Sequence, residues 1–147
     1  MPVITAGVGQ ASVGRDCTLV LVGPFGRIEL PNVTGFDSRQ EVNEVHSDRL
    51  DAKQLHASIP KGWSGSFELD RGSPGVDDFF ALQETAWYLA GTITSSTLYQ
   101  YIQEADGTQS TYQYDGVALR FEDAGRWQSD NFVKQKIAFR ANRRRKV

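Results

Sequence analysis

One segment of the chain, about residues 74–90, has the period of an amphipathic helix. Pro74 lies at its predicted start, Asp77 and Asp78 place acids in the first turn, and Gly91 ends the pattern. Its apolar stripe comprises Val76, Phe79, Phe80, Leu82, Ala86, Trp87, Leu89 and Ala90. A chain of 147 residues with one helix must bury that stripe against a sheet. We therefore predict a mainly β fold, a β-sandwich or half-barrel with one packed α-helix.

Strand-like segments make up most of the remaining sequence. Cys17–Val22 and Arg27–Leu30 flank a Gly-Pro-Phe-Gly turn and predict a hairpin. Trp63–Asp70 alternates apolar and polar side chains, which indicates one buried and one wet face. Later strands are predicted at residues 92–104, 109–114, 117–122 and 132–140, with turns at Asp106-Gly107 and Asp115-Gly116 and a loop at 123–131. We expect a single domain over residues 1–147.

Residues 31–61 differ from the segments around them. They are rich in polar and charged side chains, include both histidines, His46 and His56, and contain few large apolar ones. A polar connection of this length inside a compact domain is usually either mobile or functional. We therefore predict a long polar excursion that needs a partner to order it.

The charge of the chain is divided unevenly. Five of its 16 basic residues lie in the last eight positions, which leaves 11 basic and 18 acidic side chains in residues 1–139 and a net charge of −7 there. This balance disfavours a nucleic-acid-binding body. Three roles stay open for the basic C-terminal tail, residues 140–147: contact with an acidic surface of a neighbouring copy, binding to nucleic acid phosphates, or a solvated end.

No catalytic, cofactor or metal site is predicted. The segment Gly62–Ser66 departs from the nucleophile elbow at its last position and runs into a strand. His46 and His56 lack the spacing of metal ligands, and the dipole of the predicted helix explains Asp77 and Asp78. The longest aliphatic run is far shorter than the roughly 20 residues of a membrane span. We expect neither an enzyme nor stable membrane insertion.

Several motifs occur in a particular order around the single helix. They are Gly62–Phe67 (GWSGSF), Val76–Phe80 (VDDFF), Tyr114–Val117, Gly125–Trp127 and the closing strand Val133–Phe139. In this order the chain resembles the tail tube protein of contractile-tailed bacteriophages, which is related to the tube protein of type VI secretion systems. The resemblance covers nearly the whole chain.

The resemblance implies a hexameric ring in which strands of each copy close a continuous β-barrel, and rings that stack into a tube. The tube would lie inside a contractile sheath, enclose a tape-measure protein and conduct double-stranded DNA, with a baseplate and a tail terminator at its ends. The protein would be assembled in the host cytoplasm and become part of the virion tail. Candidates for the lumen are Ser64, Ser66, Glu68 and Asp70. Candidates for contacts between subunits or rings are Arg39, Glu41, Glu44, His46, Arg49, Lys53, Arg143, Arg144, Arg145 and Lys146.

Two other functions stay open at this point. A baseplate tube-initiator or a tail terminator would share the fold and the surface properties. A monomeric β-sandwich module that contacts nucleic acid through its basic tail belongs to a different class. Ring or filament formation would argue against the monomeric module, whereas salt-dependent DNA binding by a monomer would support it.

Overall fold

Most residues of the structure lie in antiparallel strands. The structure is a computed structural model that describes residues 4–5, 10–11, 13–30, 32–51 and 53–147. A 3₁₀ turn at Gly14–Asp16 precedes the long strands. The strands are β1 (Ile4–Thr5), β2 (Gln10–Ala11), β3 (Cys17–Gly23), β4 (Gly26–Leu30), β5 (Val33–Asp48), β6 (Gln54–Asp70), β7 (Ser96–Gln103), β8 (Gln109–Asp123), β9 (Lys134–Ala141) and β10 (Arg143–Lys146). Helix α1 (Gly75–Ala90) lies between β6 and β7. The prediction of a mainly β fold with one helix is confirmed.

The main sheet has the strand order β4-β3-β7-β8-β9-β6-β5, and β10 pairs with β8 beside this path. Strand β8 connects the two halves of the sheet, because it pairs with β7 up to Val117 and with β9 from Ala118 onward. Gly116 has a φ of 60° at this point, a left-handed conformation that glycine adopts without strain. The predicted turn at Asp115-Gly116 is therefore wrong. The dipeptide bends one long strand instead of reversing it, because β10 pairs with the same segment.

The core lies between the two halves of the sheet. Leu19, Leu21 and Leu98 come from β3 and β7, and they share one buried cluster with Phe67 and Phe139 from β6 and β9. We call the second half, formed by β5, β6, β9 and residues 118–123 of β8, the four-stranded half. The sheet is not closed, since β4 and β5 lie at its two ends.

Helix α1 confirms the predicted helix and packs on the core through its first two turns. Val76 and Phe79 are buried, and the Phe80 ring lies 4.1 Å from the Phe121 ring, measured between centroids. Gly91 ends the helix in a left-handed conformation. The second half of the predicted apolar stripe is not covered, because Leu82, Trp87 and Leu89 are exposed. Within the described residues, no helix is long and apolar enough to cross a membrane.

The prediction that residues 31–61 form an irregular polar excursion is wrong. Strands β5 and β6 pair with each other from Val33↔Leu69 to Asp48↔Gln54 and form one long hairpin. Its polar composition fits strands whose side chains face water, so few apolar residues did not mean irregular backbone. The pairing of β5 with β6 is irregular between Glu41 and Val42. On one side of this irregularity β6 also pairs with β9, and on the other side the hairpin has no further strand beside it in the described ranges. We call residues 42–60 the distal ribbon.

The C-terminal tail is also a strand. Residues Arg143–Lys146 pair with Asp115–Tyr112 of β8, and the Val147 amide donates to the Thr111 carbonyl. Of the three roles left open for the tail, a fully solvated end is wrong, because β8 holds the backbone of Arg143–Lys146 in place. The closing strand predicted at 132–140 is β9, and Phe132 remains outside it.

Candidate assembly surfaces

The outer face of the four-stranded half carries a groove of about 660 Å³. Ser64 and Ser66 line the groove, and Glu68 and Asp70 follow at the next alternate positions of β6. The structure thus places the four predicted lumen residues on one face. Glu68 is exposed and Asp70 is partly buried. Their role in a lumen stays a prediction.

Basic residues of β8 and β9 lie on the same face as these acids. Across the β6–β9 pair, Glu68 stands opposite Lys136 and Asp70 opposite Lys134. The Glu122 carboxylate lies 3.5 Å from Lys136 Nζ and 3.7 Å from an Arg120 guanidinium nitrogen. The face holds six acids and five bases, a formal charge of −1: Asp37, Glu41, Glu68, Asp70, Glu122 and Asp123 against Arg39, Arg120, Lys134, Lys136 and Arg140.

Two of the predicted interface residues, Arg39 and Glu41, also line this groove. The Ser64 hydroxyl donates to Glu41 Oε1 at 2.6 Å. Ser66 donates to Asp37 Oδ1 from its amide at 2.9 Å and from its hydroxyl at 3.3 Å. The structure therefore brings Arg39 and Glu41 together with the lumen candidates and away from the other interface candidates.

The distal ribbon carries the remaining candidates of that segment. Glu44 and His46 lie on its polar face, and Arg49 and Lys53 lie in its terminal turn, where the Arg49 amide donates to the Lys53 carbonyl. The opposite face is apolar, and sequence reasoning missed it: Val45, Leu55, Ala57 and Ile59 are all exposed. Alternation of apolar residues in Leu55–Ile59 was the signal that could have found this face.

His46 and His56 stand opposite each other on the ribbon. Their rings stack with centroids 5.6 Å apart, and Asp48 Oδ1 lies 3.8 Å from His46 Nε2. In the parts of the chain that the structure describes, no group of three or more metal-ligating side chains could hold an ion. The pair is thus a cross-strand contact on the polar face of the ribbon.

The basic tail makes specific contacts within its own chain. Arg145 Nε donates to Asp115 Oδ2 at 2.6 Å, and this bond holds the pKa of Asp115 below its usual range and raises that of Arg145. The Arg144 guanidinium lies 3.7 Å from the centroid of Tyr112 and 5.1 Å from that of Trp63. Arg143 and Lys146 are exposed.

Two backbone edges of the four-stranded half have no strand beside them in the described ranges. One is β5, and the other is residues 118–123 of β8, which pair only with β9. Successive strands of this half alternate in direction, so β5 and β8 run in opposite directions. These edges are open to a further strand.

No protein-family model and no curated protein matches this chain. Solved structures do match over nearly its full length. A chain of the anti-feeding prophage cap, a tube-terminating cap, has a TM-score of 0.63 and 10% identity, with 98% of this chain and 95% of that chain covered. The chain has the fold of contractile-tail tube-type proteins. A sheath/tube terminator of the PVC extracellular contractile injection system gives a TM-score of 0.60 and 12% identity, with 88% and 93% covered.

The PVC sheath-tube complex contains a further chain of this fold, with a TM-score of 0.58, 11% identity and 88% of both chains covered. Sequence reasoning missed Arg120, Glu122 and Lys136 on the outer face. Their alternation was visible, but their partners depend on the strand register.

Proposed function

We propose that this chain is a structural subunit of the inner tube of a contractile tail, in which hexameric rings stack into a conduit for DNA. The proposal rests on one observation: the four-stranded half has two edges of opposite direction with no strand beside them in the described ranges. The small net charge of its outer face is consistent with this function. The fold shared with proteins of contractile injection systems supports it.

Ring closure follows from the direction of the edge strands. When β5 of one copy lies beside residues 118–123 of β8 in the next copy, the new pair is antiparallel and continues the alternation without a break. Each copy then contributes four strands to one barrel. Closure pairs the edges that would otherwise cause uncontrolled association.

The outer face of the four-stranded half would line the lumen. Acids and bases are interspersed on it, and Glu122 forms ion pairs with both Arg120 and Lys136. A duplex binds tightly only where a protein neutralises its phosphates with unpaired basic side chains. A lumen with the polar residues Ser64, Ser66, Glu68 and Asp70 would let DNA slide without sticking.

The assembly sets the partners and the location that we propose. A sheath would surround the tube, a tape-measure protein would fill it before ejection, and a baseplate and terminator would hold its ends. The protein would function in the virion tail after assembly in the host cytoplasm. Among the tail residues, Arg143 and Lys146 have the exposure to contact a neighbouring copy.

A tail terminator or baseplate tube-initiator is the second candidate. Its support comes from the similarity in fold to the tube-terminating cap and to the sheath/tube terminator. A terminator forms rings that end a tube, whereas a tube subunit forms long stacks. The monomeric nucleic-acid-binding module has less support, because Arg144 and Arg145 are engaged within the chain.

Light scattering after size exclusion and negative-stain imaging test the proposal. We expect particles of six times the 16.3 kDa chain mass, and tubes at higher concentration. Rings without tubes would favour the terminator. A monomer at high concentration, with neither rings nor tubes in the images, would overturn both candidates.

Two variants test the proposed surfaces. Glu68→Lys should leave rings intact and increase salt-dependent binding of duplex DNA to tubes. Glu104→Lys, directly after β7 and outside the four-stranded half, is the control and should leave DNA binding unchanged. Loss of rings in Glu68→Lys would place Glu68 in an interface. Replacing Arg143 and Lys146 together by Ser should lower tube yield if these residues bridge copies, and an unchanged yield would contradict that role.

A further inference from the structure

The four-stranded half has two different ends. At one end the distal ribbon, residues 42–60, continues beyond the last pair of β6 with β9, Trp63↔Ala141. At the other end β6 finishes at Asp70, which stands opposite Lys134 at the start of β9. The loop that joins β8 to β9, residues 124–133, therefore lies at the end opposite the ribbon.

This loop presents two large aromatic side chains to solvent. Trp127 is 71% exposed and Phe132 is 81% exposed. The loop is nevertheless tied to the fold: the Gly125 amide donates to Asp123 Oδ1 at 2.9 Å, and the Arg71 guanidinium lies 5.4 Å from the Trp127 ring centroid. An aromatic side chain held outward by an ordered loop is typical of an interface anchor.

The ribbon presents the complementary apolar surface. Val45, Leu55 and Ile59 share one face and are 43%, 50% and 50% exposed. A two-stranded ribbon is marginally stable in water unless another surface covers its apolar face. No other element of the described chain does so, because β9 ends opposite Trp63.

We propose that the apolar face of the distal ribbon of one copy packs on Trp127 and Phe132 of a second copy, stacked beyond it along the strand direction. This inference rests on the proposed tube function and names the surfaces that join one ring to the next. The two surfaces differ and lie at opposite ends of the four-stranded half. Such a heterologous contact does not close on itself but propagates into a filament.

The size of the contact explains why rings must precede stacks. With the observed exposures, Trp127 and Phe132 together offer roughly 300 Å² of aromatic surface, against about 800 Å² per partner in a stable interface. One such contact is too small to join two free chains. Between two rings, six such contacts form together, and the affinity of one ring for the next far exceeds that of a single contact. Lateral closure is therefore the condition for stacking.

Charge placed on one face of the ribbon tests the contact. Ile59→Asp should give rings of wild-type mass but at least tenfold fewer tubes, and Trp127→Ala should do the same. Ser58→Asp, one position away on the polar face, is the matched control and should form tubes normally. Melting curves of Ile59→Asp and Ser58→Asp should match that of the wild type, because neither side chain is buried in the core. Normal tube yield from Ile59→Asp overturns the contact while the tube function stands, whereas a wild-type chain without rings overturns both.

Cross-linking provides a second, positive test. In a Cys17→Ser background, tubes of the double variant Ala57→Cys/Ser129→Cys keep Ile59, Trp127 and Phe132, and after addition of a mild oxidant they should show a ladder of disulfide-linked chains on a non-reducing gel. The double variant Ser58→Cys/Ser129→Cys places the ribbon thiol on the opposite face and should give no ladder. Tubes without a ladder from the first pair, or with equal ladders from both pairs, would overturn the proposal.

Discussion

Gln83 of helix α1 donates a hydrogen bond from Nε2 to the carbonyl of Leu119, 3.3 Å away, on the side of β8 that faces no strand. In an antiparallel strand, the N–H and C=O of one residue point to the same side, so the Leu119 carbonyl marks the unpaired edge. The helix thus occupies an acceptor that a neighbouring strand would use. Natural sheets cover their edges in such ways to prevent premature pairing.

Replacing Gln83 should make assembly easier. Gln83→Ala frees the Leu119 carbonyl, which in the proposed ring would accept a hydrogen bond from β5 of the next copy. We expect rings to form at a concentration several-fold lower than in the wild type, measured by light scattering over a dilution series. Glu84→Ala, the next residue of the helix, is the control and should not shift the series. If Gln83→Ala needs a higher protein concentration than the wild type to form rings, Gln83 stabilises the ring and does not block pairing at the edge of β8.

Tyr114 joins the two halves of the sheet. Its side chain is fully buried, and its hydroxyl lies 3.0 Å from Ser38 Oγ and 3.3 Å from Gln100 Oε1. Tyr114→Phe should lower the free energy of unfolding by about 1–2 kcal/mol, because the buried Gln100 oxygen loses a donor. Urea unfolding of the chain measures this change. Tyr101→Phe, on a partly buried ring of β7, should change it little, and equal losses in both variants would contradict the role of the hydroxyl.

Asp115 should couple the C-terminal strand to pH. The Arg145 hydrogen bond, with help from Gln113, holds the pKa of Asp115 below its usual range, so folding favours the ionised carboxylate. The stability that this carboxylate contributes is present above the ordinary aspartate pKa of about 4 and is lost as the pH falls through the depressed folded value. β10 should therefore fray below about pH 4.

The fraying of β10 can be measured from the amide signals of Arg143–Lys146 and Val147 in NMR spectra. In Asp115→Asn the signals should already show fraying at neutral pH, with no further step in acid. Asp106→Asn removes another carboxylate of lowered pKa, at the β7–β8 turn, where it accepts hydrogen bonds from Thr108 and none from β10, and should leave β10 unchanged. A wild-type strand that shows no change down to pH 2 would contradict the coupling.

Local patterns were sufficient where a segment's partners are close in sequence. The helix at residues 74–90 and its stop at Gly91 follow from periodicity and one left-handed glycine. The hairpin of β3 and β4 follows from its turn residues, and Gly23 pairs with Gly26 as expected. The wet face of Trp63–Asp70 also follows from alternation, which correctly placed Ser64 and Ser66 on one surface.

Prediction failed where a distant strand decides the conformation. Asp115-Gly116 has the composition of a turn, but β10 pairs with Asp115 from the end of the chain and keeps β8 continuous. The prediction at 31–61 failed for a different reason: β5 and β6 are neighbours in sequence and pair with each other, but their many polar side chains hid the alternation of two strands exposed to water. The basic partners of Glu68 and Asp70 depend on the β6–β9 register, which no local pattern contains.

Arg144 should contribute to stability through aromatic contacts more than through charge. Its guanidinium lies 3.7 Å from the Tyr112 ring centroid and 5.1 Å from that of Trp63. Arg144 of β10 therefore contacts both β8 and β6. Arg144→Ala should lower the free energy of unfolding by about 1 kcal/mol, because the cation–π contact and the stem packing are lost. Tryptophan fluorescence should shift to the red as Trp63 gains contact with water. Arg143→Ala removes an exposed basic residue of the same strand and should leave both measurements unchanged. Arg144→Lys keeps the charge but loses the planar group that stacks on the ring, and it should restore less than half of the lost stability. Full recovery with lysine would show that charge alone holds the strand.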